Sequence, residues 1–145
     1  MPDSLSKIKN YCSKREVCVF DARKKLNSWG IDETDEIIRT LIKDSFIDEK
    51  RYAFAYVNDH YKIKKWGKNK IKAGLSEKNI PKKIIELALE SIDTKLYLKN
   101  LESAYKNKLK SMSKSENTII KIEKLKRHLL SRGYELELIL KTIID

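Results

Sequence analysis

Between Lys62 and Lys72 this chain places six lysines in eleven residues, with Trp66 inside the run and Tyr61 just before it. Ammonium groups interleaved with aromatic rings attract phosphates or carboxylates by charge, and an exposed tryptophan can also stack on a base. A lysine is a point charge on a flexible stem, so Lys62, Lys64, Lys65, Lys68, Lys70 and Lys72 would bind by charge rather than read a sequence. Gly67 would allow a sharp turn at which the two flanking helices converge. The backbone N–H groups opening the following helix would add anion-binding capacity. For Trp66 two places are open, the core or the surface, and the core is favoured.

Other chemistry is sparse. The four glycines stand far apart, so no phosphate-cradling loop is present. His60 and His128 lack metal-type partner spacing, and Cys12 and Cys18, six residues apart, fit no zinc pattern. Buried or inert thiols are the expected reading of the two cysteines. No serine or cysteine sits in a nucleophile context. The residues therefore point to a binding protein without catalytic residues, metal or cofactor. No apolar run is long enough for a membrane helix and no secretory signal is read, so a cytoplasmic protein is expected.

The elements that must position the lysines are declared by a repeat. Ala22-Arg23 with Leu26, Ile71-Lys72 with Leu75, and Leu125-Lys126 with Leu129 each place a basic residue after an apolar one and a leucine three residues later. Four residues beyond each leucine stands Gly30, Asn79 or Gly133, then Ile31, Ile80 or Tyr134. Gly and Asn tolerate the left-handed conformation that ends helices, and the apolar residue can fold back on the last turn. Amphipathic stretches follow: Ile38, Leu41 and Ile42; Ile84, Ile85, Ala88 and Leu89; Leu136, Ile139, Leu140 and Ile143. Asp32 is read as the N-cap of the first of these, and Pro81 as the first helical residue of the second.

Leucines 49 and 54 residues apart imply tandem helical units. The composition, rich in Lys, Glu, Leu and Ile and poor in Gly and Pro, is all-α. We expect three three-helix, helix-turn-helix-like repeats over residues 1–47, 48–91 and 92–145, in an elongated, curved stack. Nine helices are predicted: 4–11; one opened by a Ser13–Glu16 capping box and running to Trp29; 32–45; 49–64 with Asp48 as N-cap; 68–78; 82–91; one capped by Asp93; 116–132; and 135–144. Buried stripes are assigned to Val19, Ala22, Leu26 and Trp29, and to Ala53, Tyr56, Val57 and Tyr61. Lys110 to Ser115 reads as the loosest linker.

The net charge of +11 is uneven: residues 1–48 carry nine basic and nine acidic groups, 49–91 eleven and five, and 92–145 twelve and seven. An anionic partner would therefore meet the middle and C-terminal parts.

Several segments resemble the RecX family: Phe46-Ile47-Asp48-Glu49-Lys50-Arg51-Tyr52-Ala53, Tyr56-Val57, Trp66-Gly67 followed by Lys70-Ile71, and Leu129-Leu130-Ser131-Arg132-Gly133-Tyr134. The likeness runs from about Lys14 to Ile144 in order and spacing. It departs where family members often carry Ser before Glu-Leu, since this chain reads Cys18-Val19-Phe20-Asp21-Ala22. The resemblance implies a small bacterial regulator that binds RecA filaments on single-stranded DNA. It would suppress strand exchange, ATP hydrolysis and the co-protease role that triggers the damage response, none of which asks chemistry of the inhibitor. On this reading Arg51 and the six lysines are contact candidates, with Lys126, Arg127 and Arg132 as weaker ones. Two other readings stand beside it: a module that binds DNA directly without sequence specificity, and a helical scaffold for some other acidic protein. Base-specific reading is disfavoured because no arginines cluster for bidentate contacts. Without a long heptad seam, a monomer is expected.

Overall fold

The structure, a computed structural model, describes residues 2–144. Among them it is all-helical, with no strand: α1 (Pro2–Ser13), α2 (Val19–Ser28), α3 (Asp35–Lys43), α4 (Glu49–Lys62), α5 (Lys68–Glu77), α6 (Lys82–Glu90), α7 (Thr94–Lys110), α8 (Thr118–Ser131) and α9 (Leu136–Ile144).

The repeated turn takes the same geometry three times. Gly30, Asn79 and Gly133 have φ of +81°, +59° and +98°. The N–H groups of Ile31, Ile80 and Tyr134 donate to the carbonyls of Leu26, Leu75 and Leu129 at 3.1, 3.2 and 3.2 Å. Those of Gly30, Asn79 and Gly133 donate to Asn27, Ser76 and Leu130 at 2.9, 3.0 and 2.9 Å. This pair of bonds is the Schellman motif, which satisfies carbonyls that a helix end leaves orphaned. The three leucines are fully buried, so truncating any of them to Ala should cost about 2–5 kcal/mol.

Asp48 and Asp93 cap α4 and α7, accepting from the N–H groups of Arg51 at 3.1 Å and Lys95 at 3.0 Å. The capping box expected at Ser13 and Glu16 does not form. Ser13 Oγ donates back to Asn10 O at 2.7 Å, and the Glu16 carboxylate pairs with Arg51 at 2.7 Å. Residues 14–18 leave the helical path, which buries Val17 and Cys18. Helix α2 instead starts at Val19, capped by Cys18, whose Sγ accepts from Asp21 N at 3.4 Å. Asp32 is not the cap of α3. That position is Thr34, whose carbonyl receives Ile38 N at 2.9 Å while its hydroxyl receives Arg23 Nη1 at 2.7 Å. Pro81 lies one residue ahead of α6, its carbonyl accepting from Ile85 N at 3.1 Å. Val19, Trp29 and Tyr56 are half-buried rather than core.

The chain divides into two compact units, Met1–Tyr56 with Leu75–Ala88, and Val57–Gly74 with Leu89–Asp145. The residues 48–91 of the middle repeat are shared between them. The first unit is centred on Ile8, Cys12, Val17, Ala22, Leu26, Ile38, Leu41 and Ile47. In the second, α7, α8 and α9 pack on one another, with Tyr97, Leu101, Leu125, Leu129, Tyr134 and Ile139 buried. The lysine-rich segment belongs to this second unit.

Candidate binding surface

The segment from Lys62 to Lys72 comprises the end of α4, a short turn and the start of α5. A helix end of this kind leaves carbonyls without intrahelical donors. Here side chains from the rest of the unit supply them. Asn100 Nδ2, on α7, donates to Tyr61 O at 2.8 Å. Arg132 Nη2, at the end of α8, donates to Lys64 O at 2.6 Å, and the Tyr134 hydroxyl donates to Lys65 O at 2.7 Å. A guanidinium at a helix C-terminus also opposes the negative end of the dipole. Burial pushes the Tyr134 hydroxyl up to about 12, so it remains a donor at neutral pH.

The chain turns at Lys65, whose φ is +56°, and not at Gly67. Gly67 serves close approach instead. A Cβ there would lie 2.1 Å from the Gly133 carbonyl carbon, and one on Gly133 would lie 2.4 Å from Lys70 Cβ. The two backbones are bonded directly: Gly67 N–H donates to Arg132 O at 2.7 Å and Asn69 N–H to Gly133 O at 2.9 Å. Between them, Lys68 N–H donates to the Tyr97 hydroxyl at 2.8 Å, and that hydroxyl donates to the Glu135 carboxylate. Burial, reinforced by Glu135, pushes the Tyr97 hydroxyl far above its ordinary value. These bonds overturn one expectation. The first N–H groups of α5 are taken by protein acceptors and are not open to an anion.

What remains for a partner is the side chains. None of Lys62, Lys64, Lys65, Lys68, Lys70 and Lys72 pairs with a carboxylate among the described residues. Lys62, Lys64, Lys65 and Lys72 are exposed, and Lys68 and Lys70 half-exposed. Trp66 is neither core nor free. It is half-buried, with the His60 ring 4.5 Å from it between centroids, and Lys70 and Lys64 ammoniums 4.3 and 5.4 Å from its centroid. Ile63, beside it in sequence, is 75% exposed.

The other candidates sit differently. Arg51 is held in the first unit by Glu16, at 2.7 and 2.9 Å, and by Ser45 O at 3.1 Å. The Glu16 hydrogen bond, followed by the Glu16 and Asp48 charges against some desolvation, raises its pKa further. Arg132 is committed to the Lys64 and Lys65 carbonyls in the turn after α4, and Lys126 pairs with Glu123 at 3.2 Å. Arg127 is exposed and takes no ion pair among the described residues. Tyr97, Asn100, Tyr134 and Glu135 belong to the site without standing out in the sequence. The available signal was that a buried tyrosine hydroxyl needs a partner. Among the described residues no three His, Cys, Asp or Glu side chains gather to hold a metal, and no helix is long and apolar enough to cross a membrane. Cys12 and Cys18 are buried free thiols, and burial pushes Cys18 up to about 11, away from thiolate reactivity.

Three helix ends closed by the same Schellman turn, and a braced run of lysines without ion pairs among the described residues, define a tandem helical-repeat protein with a basic surface. The family model for the second three-helix domain of RecX matches residues 48–89. The regulatory protein RecX of Clostridium botulinum (strain Eklund 17B / Type B) is 40% identical over 121 residues, covering 81% of this chain and 56% of the relative. That of Clostridium acetobutylicum is 33% identical over 129 residues, covering 87% and 58%. The crystal structure of RecX from Lactobacillus salivarius superposes with a TM-score of 0.81 at 29% identity, covering 99% of this chain and 97% of that one. A crystal structure of a regulatory protein RecX gives a TM-score of 0.89 at 18% identity, covering 99% and 71%, and supports the fold alone. The chain belongs to the RecX family. It spans little more than half the length of the curated relatives it matches, 56% of the Clostridium botulinum protein.

Proposed function

We propose that this chain is a non-enzymatic regulator of RecA. It binds RecA filaments on single-stranded DNA and inhibits strand exchange, ATP hydrolysis and co-protease activity, with the Lys62–Lys72 segment as its main contact. The observation that carries the reading is that segment: six lysines, none ion-paired among the described residues, braced by Asn100, Arg132 and Tyr134. A rigid basic surface suits a filament coated with phosphate and acidic side chains. Arg127 is a secondary contact, whereas Arg51, Arg132 and Lys126 have their side chains engaged within the protein. The regulator acts in the cytoplasm as a monomer and needs no cofactor.

The test is RecA ATPase on single-stranded DNA at constant moderate salt, using the recombinase of the same organism. Substoichiometric inhibition that survives excess single-stranded DNA supports filament regulation. A second reading, direct DNA coating without the recombinase, draws on the ammonium groups held over Trp66. It predicts inhibition that excess DNA abolishes.

A further inference from the structure

Residues 1–48 count as charge-neutral in sequence, but the charges of this part of the chain are sorted in space. Glu16 pairs with Arg51 at 2.7 Å, Asp21 with Lys78 at 2.6 Å, Asp35 with Arg23 at 2.6 Å and Asp44 with Lys9 at 3.4 Å. Asp32, Glu33 and Glu36 line a cleft with Leu5, Ile31 and Ile37. Lys7, Arg15 and Lys25 pair with no carboxylate among the described residues. They gather on two rings instead. Lys7 Nζ lies 4.3 Å from the centroid of the Trp29 ring and Arg15 Cζ 4.2 Å from that of Tyr11, while Lys25 Nζ lies 5.2 Å from Tyr11 and 5.8 Å from Trp29. Both rings are half-buried, Lys7 and Arg15 are exposed, and Lys25 is half-exposed.

We infer that the α1–α2 face formed by Lys7, Tyr11, Arg15, Lys25 and Trp29 is a second binding surface, whose ligand is single-stranded nucleic acid. Three unneutralised cations supply contacts to successive phosphates, and two rings supply platforms for bases. An acidic peptide would use the cations and leave the rings idle. The lysines are long and flexible, so an ammonium displaced from a ring by a base can follow to a flanking phosphate. The second unit repeats the device at Trp66, with ammonium groups at 4.3 and 5.4 Å. This surface does not depend on the recombinase.

The chain has two tryptophans, so Trp66→Phe leaves Trp29 as the sole tryptophan reporter. Its emission is followed while a single-stranded deoxythymidine oligomer is added, with no recombinase present. The expected result is saturable quenching, with an affinity that falls with salt at a log–log slope of about −2, as three phosphate contacts to a single strand require. Adding Lys7→Ala and Lys25→Ala should raise the half-saturating concentration about tenfold, with helical circular dichroism retained. If Trp66→Phe loses helicity, the difference between the unmodified protein and Trp29→Phe gives the same assignment. Trp29 emission that stays constant while the oligomer binds would overturn the inference, as would an unchanged titration of the double lysine variant. Equal quenching by polyglutamate would overturn it as well, by making the face a general polyanion site. Because no recombinase is present, failure here leaves RecA regulation standing, and loss of RecA inhibition leaves this surface standing.

Discussion

Gly67 and Gly133 meet backbone to backbone, and each excludes a side chain because the other residue's main chain, or that of Lys70, already fills the space. Gly67→Ala should therefore destabilise the protein by about 3 kcal/mol or more, since the clash is with rigid backbone. Gly30→Ala is the control. Nothing lies within 4 Å of a Cβ there, so only the positive φ is penalised, at about 1–2 kcal/mol. Urea denaturation of the two variants checks the difference. Glu49 carries a second residue-scale prediction. One of its carboxylate oxygens is buried without a hydrogen-bond partner, and burial, with Asp21 adding to it against a bond from Val19 N–H, raises its pKa above the ordinary 4.5. A raised carboxyl stabilises the fold fully below its unfolded value, and that stabilisation is lost as pH rises through the folded value. Glu49→Gln should thus raise the denaturation midpoint at neutral pH and flatten the decline in stability just above pH 4.5. A midpoint lowered at pH 7 would contradict this account.

At the scale of elements, the end of α4 is held from outside itself. Arg132→Ala removes the bond to Lys64 O, and thermal denaturation should show a loss of about 1–2 kcal/mol. Arg132→Lys separates positioning from contact. It keeps the charge but not the guanidinium fork, so inhibition of RecA should fall with it if Arg132 positions the lysines. Inhibition equal to wild type would make Arg132 a charge contact. The helix ends show why some elements were legible in the sequence and others were not. Leu26 to Ile31, Leu75 to Ile80 and Leu129 to Tyr134 are closed by bonds spanning five residues, so their signal is local. Ser13 and Glu16 matched a local pattern equally well, but Glu16 is claimed by Arg51, thirty-five residues away. The turn at Lys65 carried no signal, because a lysine rarely takes positive φ. It does so here with Arg132 and Tyr134 donating to carbonyls of that turn.

At the scale of the whole molecule, what matters is how the net charge of +11 is distributed. Replacing Lys64, Lys65, Lys68 and Lys70 with Ala should weaken RecA inhibition while leaving helicity intact, because none of the four is ion-paired among the described residues. Inhibition unchanged at moderate salt would remove the segment from the mechanism. The all-helical class, the thrice-repeated turn, the density of lysine between Lys62 and Lys72 and the likeness to RecX are all written in the order of the residues. Each depends on residue type at short spacing, which helix propensity and capping chemistry translate directly into structure. Which charges are spare depends on how the chain packs. Arg51 and Arg132 look like Lys64 and Lys65 in a charge count, yet both arginines are engaged by acceptors 35 and 68 residues away, and the lysines take no ion pair among the described residues. The balanced charge of residues 1–48 likewise concealed Lys7, Arg15 and Lys25 on their rings. A sum over residues carries no distances, and Coulombic pairing depends on distance.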